Sequence, residues 1–122
     1  MGQQSGYRVA LAVVLVVVIG TALWFAAPVK STADTLNSEG FVQTAGGEYD
    51  EAVATFTKAI ELNPGYAKAY YNRGSIYDKM GELDKAIVDY RKTISLDPYY
   101  YEAHYFLDQA LKKTGQADKR TR

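Results

Sequence analysis

Two pairs of acids, Asp50 with Glu51 and Asp78 with Glu82, are the side chains of this sequence that could pass protons as acid and base. Such work needs two carboxyls facing one reacting bond, one of them held protonated by an enclosed apolar setting. These acids stand beside lysines, at positions that read as solvent-facing, and no enclosing pocket is implied. His104 is the one histidine, and no serine or cysteine with an activating motif accompanies it. The absence of cysteine removes thiolate nucleophiles, thiolate metal sites and disulfides. Gly46-Gly47 lacks the residues of a phosphate-cradling loop and reads as a turn. No catalysis, metal or cofactor is expected.

A chain of 122 residues allows one small domain, with or without an anchor. Its 14 basic and 14 acidic side chains cancel. Nucleic-acid binding normally requires a basic excess, so no nucleic-acid partner is expected.

Residues Val9 to Ala27 read VALAVVLVVVIGTALWFAA, 19 residues without a charge. As a helix the segment would be about 28 Å long, close to the roughly 30 Å hydrocarbon core of a bilayer. Trp24 and Phe25 stand near its end, where aromatic rings favour the interface, and Pro28 ends it. A lone strand in lipid would leave its backbone unpaired, so the valines do not argue against a helix. The segment therefore reads as a membrane-spanning anchor. A cleaved signal peptide is the first alternative, although its apolar core would be long and Phe25-Ala26-Ala27 is a poor cleavage site. A buried core helix is the second, but the rest of the chain is too small to surround it. Met1-Gly2 does not signal myristoylation, because Gly6 stands where Ser or Thr is needed. Arg8 and the free amino group precede the segment, and Lys30, Asp34 and Glu39 follow it. That tilts the orientation toward a cytoplasmic N-terminus and an exported domain.

The remaining chain repeats itself every 34 residues. Between residues 33–66 and 67–100 there are eleven identities, among them Gly40/Gly74, Gly47/Gly81, Ala52/Ala86, Pro64/Pro98 and Tyr66/Tyr100. Each unit reads as a helical hairpin. In the first, helices over 33–45 and 50–61 flank the Gly46-Gly47 turn. In the second, helices over 67–79 and 84–95 flank Met80-Gly81-Glu82, with Gly81 suited to a left-handed helix end. Asn63-Pro64 and Asp97-Pro98 close the units, because proline restricts the residue before it. Gly40 and Gly74 allow close approach of helices, with Ala52 and Ala86 opposite and Phe56 and Tyr90 filling the space between neighbours. Neither hairpin can bury its apolar side alone, so the units must stack. A third first-type helix over 101–113 ends at Gly115. Asp108 occupies the register of Gly74, Leu107 and Leu111 keep an inner face, and residues 116–122 form a basic tail; this reads as a cap.

These units resemble tetratricopeptide repeats. The second unit shows Tyr70, Arg73-Gly74, Tyr77, Gly81, Ala86, Tyr90, Thr93 and Pro98, with Arg73 and Thr93 in place of the usual leucine and alanine. The first shows Leu36, Glu39-Gly40, Gln43, Gly47, Ala52, Phe56, Ala59 and Pro64; Glu39 and Gln43 depart from the pattern, so its first helix is expected to pack loosely. The resemblance implies an all-α, right-handed solenoid: two full repeats (33–66 and 67–100) and a capping helix (101–115). An anchor (9–27) and a linker (28–32) would precede it, with residues 1–8 as a short flank.

It also implies a concave wall, built from the first helix of each unit, that receives a peptide or extended segment. Asn37, Phe41, Lys68, Tyr71, Asn72, Ser75, Lys79, Tyr105 and Gln109 are the candidate partner-binding residues. Asn can clamp a peptide backbone with a donor and an acceptor, and Tyr offers rigid contact area with a hydroxyl. A clamp for an acidic chaperone tail is not implied. Lys68 and Asn72 match one member of it, but the neighbouring units place Asp34 and Ser38, and Glu102 and Phe106, in that register. The expected function is a membrane-tethered interaction scaffold with a protein or peptide partner. A structural subunit of a membrane complex and a secreted repeat domain are the alternatives. Tyr99, Tyr100, Tyr101 and Tyr105 are candidates either for self-association or for packing between helices.

Overall fold

The computed structural model describes residues 29–116, and within them five helices and no strand. They are α1 (Val29–Ala45), α2 (Tyr49–Leu62), α3 (Ala67–Lys79), α4 (Leu83–Leu96) and α5 (Tyr101–Lys113). The apolar segment Val9–Ala27 and the basic tail from residue 117 lie outside the described residues. Among those described, no helix is long and apolar enough to cross a membrane. The helix α1 begins at Val29, inside the stretch 28–32 expected to be a linker. Nothing in Val29-Lys30-Ser31-Thr32 breaks a helix, and a proline just ahead of a helix favours its start.

Three glycines set the turns. Gly47, Gly81 and Gly115 adopt φ of 78°, 80° and 71°, the left-handed region that a side chain would strain. Each lets the next amide reach back five residues: Glu48 N–H to the Gln43 carbonyl at 2.9 Å, Glu82 to Tyr77 at 2.8 Å, Gln116 to Leu111 at 2.9 Å. This closes the orphan carbonyls at the ends of α1, α3 and α5. The links after α2 and α4 also match each other. Asn63 Oδ1 accepts from Gly65 N–H at 3.2 Å, and Asp97 Oδ1 from Tyr99 N–H at 3.1 Å. Connections this short make successive helices antiparallel, so α1, α3 and α5 run in one direction and α2 and α4 in the other.

Stacking follows the close-approach glycines. A Cβ on Gly40 would lie 2.8 Å from the Phe56 ring, and one on Gly74 would lie 3.1 Å from the Tyr90 ring and from Asp89 Cβ. The rings, not Ala52 and Ala86, therefore face the glycines directly; the alanines are buried beside them. Phe56 packs with Ala52 and with Ile76 of α3, and Tyr90 with Leu107, Ala110 and Leu111 of α5. Each second helix is thus roofed by the first helix of the next unit. In α1 the buried residues are Ala33, Asn37 and Gly40, none of them a large apolar side chain. Gln43 Oε1 is buried there without a hydrogen bond.

The departure at Arg73 has a partner that the sequence reading missed. Its Nε and Nη2 each donate to Asp89 carboxylate oxygens at 2.8 Å, and Nη1 donates to Thr57 Oγ1 at 3.1 Å. Tyr70 and Tyr77 lie 5.8 and 5.9 Å from the guanidinium carbon, within cation–π range. The Asp89 side chain is 3% exposed, and burial of a carboxylate is tolerated only with such pairing. Because Thr57 belongs to α2, the arginine ties the first unit to the second.

Candidate functional site

The parallel run of α1 and α3 sets Asn37 beside Asn72, one residue beyond its counterpart Tyr71 in the 34-residue register. Asn72 Nδ2 donates to Asn37 Oδ1 at 2.9 Å. Around this pair lies a groove of about 410 Å³ lined by Asn37, Ser38, Phe41, Val42, Lys68 and Asn72. Four of the nine expected residues, Asn37, Phe41, Lys68 and Asn72, therefore meet in one place. Val42 joins them unexpectedly. It and Phe41 are 69% and 66% exposed, so the wall combines an amide pair and a lysine with a bare apolar strip. The Asn37 carboxamide is largely buried against Asn72. It braces the neighbouring asparagine instead of standing open to clamp a backbone.

Tyr71 lies further along the wall, within an aromatic cluster. Its ring centroid is 5.0 Å from Tyr100, 6.0 Å from Tyr90 and 6.1 Å from Phe106. Tyr105 meets Phe106 edge-on at 5.2 Å and is otherwise exposed. Ser75, Lys79 and Gln109 do not line the groove beside Asn72; Ser75 and Gln109 are half-buried and Lys79 is exposed. Lys113 crosses from α5 to Asp78 of α3 at 2.9 Å, and Lys112 pairs with Asp108 at 2.8 Å, so part of the basic end is neutralised. Of the four tyrosines considered for inter-helix packing, Tyr100 packs; Tyr99, Tyr101 and Tyr105 do not. Their rings project from a surface that carries no helix on that side among the described residues.

The acids that could have formed proton-transfer pairs are either exposed or held by lysines. Asp50 and Glu51 are exposed at the start of α2, Asp78 holds Lys113, and Glu82 holds Lys85. His104 Nε2 is 2.9 Å from the Pro98 carbonyl oxygen and donates to it, pinning the preceding link.

Burial shifts four tyrosines upward. Tyr66 is pushed up to about 12, by burial first and then by the neighbouring Asp34 carboxylate. Tyr100 is pushed up to about 12 by burial, with smaller help from Tyr71, Glu102 and Asp97. Tyr71 and Tyr90 are raised mainly by burial as well. An unfolded tyrosine loses its proton near pH 10, whereas these folded ones keep theirs. Above pH 10 the unfolded state therefore binds fewer protons than the folded one, and stability falls as pH rises until the folded groups also ionise. Urea unfolding is expected to show a lower midpoint at about pH 11 than at about pH 9. An unchanged midpoint would contradict the burial of these hydroxyls.

Comparison with known proteins agrees with this geometry. A family model described as "Tetratricopeptide repeat" matches residues 67–100, and one described as "TPR repeat" matches residues 42–81. Human tetratricopeptide repeat protein 6 is 37% identical over 49 residues, which cover 40% of this chain and 9% of that protein. A crystal structure of MamA aligns with a TM-score of 0.70 at 37% identity, over 73% of this chain and 52% of MamA. The second tetratricopeptide domain of Spaghetti (RPAP3), bound to the HSP90 peptide SRMEEVD, aligns with a TM-score of 0.71 at 25% identity, over 73% of this chain and 82% of that one. The chain thus spans about half the length of MamA and less than a tenth of the human relative. Residues 42–100 match models of tetratricopeptide repeats, and the described helices stack as those of the similar solved structures do.

Proposed function

We propose that this protein is a membrane-tethered interaction module whose groove between α1 and α3 receives an extended segment of a partner protein. The observation that carries the reading is the joint placement of Asn72, Lys68, Phe41 and Val42 around one open groove. The braced amide offers hydrogen bonds to a peptide backbone, and the apolar strip offers a seat for a side chain. The peptide held by the RPAP3 domain supports an extended ligand in general. The acidic tail of that peptide is not carried over, because Asp34 and Glu102 flank Lys68 in the repeat register. The Val9–Ala27 segment serves as the tether, with the repeats exported. No catalytic step is proposed.

The test uses the absence of cysteine, which makes any introduced thiol unique. A photocrosslinker on Ser38→Cys is expected to capture a partner in cells, and one on Val88→Cys, outside the groove, is not. Adding Lys68→Ala and Asn72→Ala should abolish the Ser38 product. Equal capture from both positions, or capture indifferent to the two alanines, would reject the groove. Extraction of membranes with alkaline carbonate and the intact mass test the tether separately. A soluble product shortened by more than about 20 residues would replace it with a secreted domain.

A further inference from the structure

The two ends of the solenoid differ in kind. One end holds the first turn of α1 and the links 63–66 and 97–100. The links carry Tyr66 and Tyr100 in matching positions, and the Tyr66 amide donates to the Asn63 carbonyl at 3.0 Å as the Tyr100 amide does to Asp97 at 3.1 Å. The other end holds the turns 46–48, 80–82 and 114–116.

Large apolar side chains are exposed at the first end: Leu62 and Leu96 close α2 and α4 at 46% and 37%, and Tyr99 and Tyr101 reach 76% and 74%. None of the exposed large apolar residues lies in the turns of the opposite end, where Glu48, Asp84, Lys85 and Lys112 are exposed instead. The repeat does not require the two tyrosines. In the preceding unit Gly65 and Ala67 occupy the same registers. Neither ring fills a core, and the adjoining link is already secured by Asp97 and His104.

The chain itself indicates what faces this end. The proposed tether ends at Ala27 and α1 opens at Val29, and two residues span at most about 7 Å. A tether formed by Val9–Ala27 therefore delivers the first turn of α1 to the bilayer surface. Tyr99 and Tyr101 stand on the same end but at its far edge, across α3 and α5, roughly 20 Å away at usual helix spacings. We infer that this end of the solenoid lies on the headgroup region of the membrane, held at one edge by the tether and at the other by Tyr99, Tyr101, Leu62 and Leu96.

Tyrosine suits that depth, with its ring toward the acyl boundary and its hydroxyl in water. Glu61, Lys68 and Glu102 share the rim, so it has no basic excess, and the matching surface is zwitterionic lipid, not an anionic one. Helices α2 and α4, each of 14 residues, are about 21 Å long, which lifts the charged turns clear of the headgroups. The groove would then open sideways, parallel to the membrane, toward partners lying along its surface.

The inference rests on the tether proposed above, and the experiment separates the two. Full-length protein carrying a single environment-sensitive fluorophore, on Glu102→Cys or on Glu48→Cys, is reconstituted into phosphatidylcholine vesicles, with or without nitroxide-headgroup lipid. Flotation reports insertion. The expected result is floated protein whose Glu102 probe is blue-shifted and quenched several-fold more than the Glu48 probe. Tyr99→Ser with Tyr101→Ser should bring the two probes to the same level, with the helical circular dichroism retained. Floated protein with both probes equally water-exposed would overturn the resting surface and leave the tether standing. The same holds if the Glu102 signal is indifferent to the serine pair. Protein that does not float would overturn both.

Discussion

Arg73→Leu is expected to destabilise the repeat domain by about 3–5 kcal/mol, although leucine is the residue the repeat pattern favours at that position. The loss does not come from the arginine's own packing. It comes from Asp89, whose 3% exposed carboxylate would remain in the interior without the two 2.8 Å hydrogen bonds that compensate its burial. Thermal unfolding followed by circular dichroism should show a fall of more than about 10 °C for a domain of this size. Arg73→Leu combined with Asp89→Leu should recover much of the loss, because removing both charges also removes the desolvation penalty. A fall of only a degree or two in the single variant, or no recovery in the double, would show that the pair is not the internal support the geometry describes. The link to Thr57 adds a second readout. Hydrogen exchange in α2 should accelerate in the single variant, since the arginine joins that helix to the second unit.

Phe56→Ala is the second large effect, about 3–5 kcal/mol. The ring is 1% exposed, lies against the Cα of Gly40 and packs on Ala52 and Ile76. Its removal leaves a cavity between α1, α2 and α3. The first helix has little else to hold it, because the other residues it buries are small or polar. Unfolding should lose cooperativity, with α1 exchanging its amides ahead of α3 and α4. The size of the ring also fixes the size of its neighbour. Gly40→Ala would set a methyl within 3 Å of ring atoms and destabilise the native chain, but should cost less beside Phe56→Leu, where that space is partly vacated. A Phe56→Ala loss below about 1 kcal/mol would mean the first hairpin is not packed as described.

Much of the fold was legible in the sequence because it is local. A glycine with positive φ, the residue before a proline and a 3.6-residue apolar period act over one or two turns of chain. The 34-residue repetition stated each of them twice. Helix boundaries consequently agreed to within a residue, except at Val29, where no residue type marks a limit. The Arg73–Asp89 pair was legible in principle. Both residues depart from the preceding unit, and they stand 16 apart, the spacing of Gly74 and Tyr90 and of Gly40 and Phe56.

Other features were decided only by the tertiary arrangement. That Asn37 supports Asn72, that Val42 enters the groove, and that Tyr100 packs while Tyr99 and Tyr101 project outward all depend on the rotation of one helix against its neighbour. The sequence by itself determined a stack of helical hairpins behind an apolar segment, because chain-local sterics and periodic burial suffice for that. Which side chains remain free for a partner or a membrane was set by helix-to-helix packing, where a residue's surroundings come from chain some 35 positions away.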